Sequence, residues 1–125
     1  MKEYPKFSDL VGKTLTEVRQ IGDDVIRFEC DDGKAYQLYH SQDCCETVVV
    51  DDISGDLADL VGAPILLAEE ATSEDDPPGY KREYQPESQT WTFYKLRTIK
   101  GSVDIRWHGS SNGYYSERVD FGETR

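Results

Sequence analysis

The chain's densest set of reactive groups is Tyr39-His40-Ser41-Gln42-Asp43-Cys44-Cys45-Glu46. It offers a thiol nucleophile at Cys44 or Cys45, a base at His40, and carboxylates at Asp43 or Glu46 to orient that base. Thiolate, imidazole and carboxylate are also zinc ligands. Neither pattern is specific. There is no Cys-x-x-Cys pair and no second histidine nearby, so a closed metal site would have to borrow Cys30 or His108. The surrounding acids also disfavour the thiolate that a nucleophile needs. A plainer reading packs one cysteine in the core and spends His40 and the acids on turn hydrogen bonds, and it outranks both. No catalytic residue, metal or cofactor is therefore expected.

The acidic residues form a second feature. The 125 residues carry 25 Asp and Glu against 14 Lys and Arg, a net charge of -11. Residues 1–76 hold 19 acids and 6 bases, whereas residues 77–125 hold 6 acids and 8 bases. Between Lys34 and Lys81 no Lys or Arg occurs. That window contains Asp43, Glu46, Asp51, Asp52, Asp56, Asp59, Glu69, Glu70, Glu74, Asp75 and Asp76. Carboxylates repel one another and bury badly, so most must face water or a cationic partner. They give either a solubilising surface or a negative patch for a basic protein. Direct binding of nucleic acid, which needs a basic face, is excluded. Asp51, Asp52, Ser54, Asp56 and Asp59 do not make a calcium loop, because Gly55 precedes Asp56 and position twelve is not Glu.

A third set is aromatic. Trp91, Phe93, Tyr94, Trp107, Tyr114 and Tyr115 could stack on a base, with Arg97, Lys100 and Arg106 near a phosphate. No Gly-rich phosphate loop, nucleophile elbow or paired-histidine motif accompanies them. An alternative ligand site follows: His40, Cys45, Trp91, Arg106, Tyr114 and Tyr115, serving a nucleotide-like molecule or a small enzyme.

The elements that must position these groups are mostly strands. Thr14 to Gln20, Val25 to Cys30 and Lys34 to His40 read as an antiparallel meander, turning at Asp23-Asp24 and Asp32-Gly33. Cys45 to Val50, Ile65 to Ala71, Thr90 to Thr98, Ser102 to His108 and Tyr114 to Phe121 follow as further strands. In Ser102 to His108, Val103, Ile105 and Trp107 share one face, with Asp104, Arg106 and His108 on the other. Phe7 to Gly12 reads as a capped turn. Asp51 to Gly62 is the best helix, with Leu57, Leu60 and Val61 on one face and a stop at Gly62 and Pro64. Residues 72–89, with Pro77-Pro78-Gly79 and Pro86, read as a mobile loop. The expected fold is α+β: a single domain over 1–125, mainly antiparallel, of about seven strands with one or two short helices.

Four stretches, Tyr39 to Glu46, Gly55-Asp56-Leu57-Ala58-Asp59-Leu60, Thr90-Trp91-Thr92-Phe93-Tyr94-Lys95 and Ser111-Asn112-Gly113-Tyr114-Tyr115-Ser116-Glu117, carry a resemblance. They resemble a family of small proteins met in phage and prophage sequences, over Leu10 to Phe121. The resemblance implies membership and a phage origin, and supplies no activity.

Three cysteines, an odd number with two adjacent, point to a reducing compartment, since neighbouring cysteines strain a disulfide ring. No apolar run is long enough for a spanning helix, and no signal-peptide pattern opens the chain. The expectation is a non-enzymatic cytoplasmic binding protein, a phage or prophage accessory factor whose acidic surface meets a basic host protein. A homodimer is compatible with it.

Overall fold

The computed structural model describes residues 4–81 and 85–124. Eight strands are present: β1 (Leu15–Ile21), β2 (Val25–Cys30), β3 (Ala35–Tyr39), β4 (Thr47–Ser54), β5 (Leu67–Ser73), β6 (Ser88–Thr98), β7 (Gly101–Ser111) and β8 (Asp120–Thr124). They form two four-stranded sheets, ordered β1-β2-β3-β8 and β4-β7-β6-β5, in which every strand pair is antiparallel. The helical elements among the described residues are 3-10 turns, Phe7–Leu10 and Leu57–Leu60. The fold is therefore mainly antiparallel β, and the α+β expectation is corrected.

The helix expected over Asp51 to Gly62 fails for a local reason. Val48, Val49, Val50 and Ile53 are β-branched, and they carry the chain along β7 from Thr47 opposite Ser110 to Ser54 opposite Asp104, with one register shift between Val50 and Asp52. Gly55 then breaks the strand at a φ of +100°. The residues left before Pro64 are too few for more than a single tight turn. Asp56 caps that turn by accepting the Ala58 N–H at 2.9 Å, and Leu60 buries itself beneath it.

Period-two patterning explains the core. Ile26, Phe28 and Cys30 of β2 point inward with Tyr36 and Leu38 of β3. Opposite them lie Tyr94 and Leu96 of β6 and Val103, Ile105 and Trp107 of β7. Both sheets thus share one core, to which Phe7 adds its ring at 4.6 Å from Tyr94. The Trp107 Nε1–H is buried without a partner among the described residues, so packing alone holds that ring.

Two further expectations change. Residues 114–119 are irregular, and the last strand is Asp120–Thr124, paired to β3. Of the segment read as a mobile loop, Thr72 and Ser73 belong to β5, and residues 88–89 belong to β6. Between them Asp76 accepts the Trp91 indole N–H at 3.2 Å and the Gln89 amide at 3.0 Å. Tyr80 lays its ring edge-on to Trp91 at 4.9 Å. Residues 82–84 of the segment lie outside the described residues.

Candidate functional site

In the 39–46 segment, His40 leaves the end of β3 with its side chain 4% exposed. Its Nδ1 faces the Arg118 carbonyl at 2.7 Å, and its Nε2 faces the Glu46 carboxylate at 2.7 Å. The ring thus bridges a backbone carbonyl and a carboxylate. Glu46 also accepts the Cys44 N–H at 3.0 Å and the Asp43 N–H at 2.9 Å. The Cys44 N–H and the His40 ring, with the Asp43 N–H behind them, hold the Glu46 carboxyl down at about 2, although burial opposes them.

Cys44 and Cys45 are exposed and joined to each other as a vicinal disulfide. That corrects the expectation that adjacent cysteines would stay unpaired. Neither sulfur is then a thiolate, and His40 turns to Glu46 and Arg118 instead of to a thiol. The third cysteine, Cys30, is free and buried, and burial pushes its thiol up. The cluster is built to tie the end of β3, the start of β4 and the β7–β8 connection together.

The eleven acids are distributed among several local environments. Glu46 is buried in the cluster just described. Asp51 pairs with Arg106 at 2.6 Å, Asp56 caps its turn, and Asp76 receives Trp91 and Gln89. Asp59 lies against Gly101, and its carbonyl accepts the Thr98 hydroxyl. Asp43, Asp52 and the adjacent pair Glu74 and Asp75 are exposed. Glu69 and Glu70 project from β5.

The alternative ligand set is split as well. Trp91 and Arg106 do meet, with the guanidinium 5.3 Å from the ring centre, and His108 lies 4.3 Å from the same indole. Trp91 is nevertheless 0% exposed, its ring enclosed by His108, Arg106 and Tyr80. His40 and Cys45 make their contacts in the 39–46 cluster. Tyr114 and Tyr115 meet edge-on at 5.0 Å in the irregular stretch after β7, with Tyr114 exposed.

Between the two sheets a different site opens, a cleft of about 1360 Å³. Edge strand β5 forms one wall; residues 117–121, with Tyr39, form the other. Glu117 sits in it as a buried carboxylate, accepting the Thr90 hydroxyl at 2.8 Å and the Ser111 hydroxyl. Glu70 accepts the Tyr94 phenol at 2.7 Å; burial first, then that carboxylate, pushes the phenol far above its ordinary value. Asp120 accepts the Ser41 N–H at 3.1 Å and pairs with Arg118 at 3.0 Å. With Glu69, four carboxylates therefore line a cleft whose cationic side chains among the described residues are Lys6 and Arg118.

Sequence reasoning located Glu69 and Glu70 but missed Glu117 and Asp120, which lie in the nearly neutral half of the chain. One signal was present in Gly109, an isolated glycine within a strand. A Cβ there would stand 2.6 Å from the Glu117 carbonyl oxygen, so the glycine is what lets the 117 backbone lie against β7.

Fold and cleft together define a small two-sheet antiparallel β protein with an acid-lined opening between its sheets. The chain belongs to the family described as a domain of unknown function, DUF7448, whose model matches residues 8–121. No curated protein and no solved structure matches it. No helix among the described residues is long and apolar enough to cross a membrane.

Proposed function

We propose that the chain is a non-enzymatic cytoplasmic binding protein whose cleft takes a basic partner protein, in the setting of a phage or prophage accessory factor. The observation that carries this reading is the placement of Glu69, Glu70, Glu117 and Asp120 around one opening between the sheets. Two of them lie in the window without Lys or Arg and two beyond it, and folding is what joins them. Glu70 and Glu117 bond to hydroxyl groups, which leave their negative charge uncancelled, whereas Asp120 is paired with Arg118. Lys and Arg side chains can approach such carboxylates with little loss of hydration at the rim, and opposite charge speeds encounter.

The test is capture of proteins from a bacterial lysate at about 0.05 M and about 0.5 M salt. The wild-type chain is compared with the double variant Glu69→Lys/Glu117→Gln. The expected result is a basic protein retained at low salt, released at high salt and lost with the variant. Equal retention by the variant, or retention unaffected by salt, would rule the cleft out as the binding surface.

A further inference from the structure

The cleft's β5 wall is exposed along the middle of the strand. Four consecutive residues, Glu69, Glu70, Ala71 and Thr72, are exposed, although they alternate between the two faces of the sheet. Both faces are therefore accessible there, with the Phe7–Leu10 turn packed against the same strand. β5 is paired on one side to β6 and is the last strand of its sheet. The backbone groups of residues 69–72 on the other side bond to no other described segment. The stretch has no proline and no lysine, and its register with β6 is unbroken; the charges that guard this edge are Glu69 and Glu70, which repel an acidic strand and admit a basic one.

β5 stands between two hollows. On its inner side is the acid-lined cleft; on its outer side a depression of about 480 Å³ runs from Glu69 and Ala71 across Phe93 to Asp104. A strand added beside β5 would send alternate side chains into each. Those turned inward would meet Glu70 and Glu117, whereas those turned outward would meet Glu69 together with Lys95 and Arg106, so the basic side chains belong on the inner side. We infer that the basic partner docks as an extended segment, adding a fifth strand to the free edge of β5 with its Lys or Arg side chains on these carboxylates. This rests on the acidic-cleft reading and adds the mode of binding to it.

A second copy of the chain suits the edge poorly. Antiparallel self-pairing centred on Glu70, or on the Glu69–Glu70 step, sets carboxylate against carboxylate, and each copy brings a charge of -11. Charge complementarity thus selects a foreign, basic segment.

The probe is a fluorescein-labelled ten-residue peptide of alternating lysine and valine, titrated with the full chain by fluorescence anisotropy at about 0.05 M salt. Two further versions carry N-methyl groups on the lysines or on the valines, so that one of them must lose the N–H groups facing β5. The expected result is binding of the parent peptide, a loss of at least about tenfold in affinity for one methylated version, and slowed hydrogen exchange at amides 69–73. Equal binding of all three peptides would overturn strand addition while leaving the acidic cleft standing. Failure of the parent peptide, with salt-sensitive capture of a folded basic protein intact, would likewise overturn strand addition alone. Sedimentation showing a dimer that Glu69→Lys strengthens would assign the edge to a second copy and overturn the inference.

Discussion

Glu46 is buried and held at about 2 by two backbone N–H groups and the His40 ring, so the folded chain resists protonating it. The unfolded chain takes that proton near the ordinary glutamate value. A carboxyl depressed in the folded state stabilises it fully above about 4.5, and that contribution fades as pH falls from about 4.5 towards about 2. Glu46→Gln should therefore melt lower than the wild type at neutral pH. The gap between the two should shrink on acidification, as thermal melts at about pH 7 and about pH 3 will show. A gap that stays constant would mean that Glu46 is no better held in the folded than in the unfolded chain. His40, Glu46 and the acids around them were visible in the sequence as a reactive cluster. Their role was not, because ordinary spacing rules do not say that the Arg118 carbonyl, 78 residues away, faces His40.

The strands follow closely from local pattern. β2, β3, β6 and β7 alternate as their sequences do, because one sheet face is buried and the other is not. The failure over Asp51 to Gly62 shows the limit of periodicity. Leu57, Leu60 and Val61 have helical spacing, yet the preceding valines were already committed to a ladder with β7, 55 residues away in the pair Asp51–Arg106. The turn at Gly55 is fixed by two constraints at once: its φ is +100°, and a Cβ would stand 2.5 Å from the Ser102 carbonyl oxygen. Gly55→Ala should cost about 1–3 kcal/mol in chemical denaturation, since the strain and the clash add. Gly12→Ala has the strain but open space around its Cβ, and should cost less. Equal losses in the two variants would show that the close approach to Ser102 contributes nothing.

Across the whole molecule, a charge of -11 on a two-sheet fold opposes compaction. Screening that repulsion should raise the melting temperature by several degrees between about 0.02 M and about 0.5 M sodium chloride. Complex formation with a basic segment should weaken over the same range, since the attraction it uses is screened too. Opposite signs in one titration separate charge that merely solubilises the chain from charge that binds. If melting and binding both ignore salt, the carboxylates are too well paired or too scattered to act collectively.

The amino-acid sequence by itself determined most strand positions, the inward residues and the concentration of acids between Lys34 and Lys81. Those depend on neighbours a few residues apart, through side-chain alternation, turn residues and local charge. Tertiary structure alone decided which acids share a site. Glu46 was withdrawn into a cluster, Asp51 and Asp76 were tied to Arg106 and Trp91, and Glu69 and Glu70 were set facing Glu117 and Asp120 across the cleft. That grouping depends on strand order: the first sheet ends in β8 and the second in β5, and no local pattern says which strand is left at an edge. The net charge was legible from composition, whereas the place where it can act is set by how two sheets close over one core and part along one side.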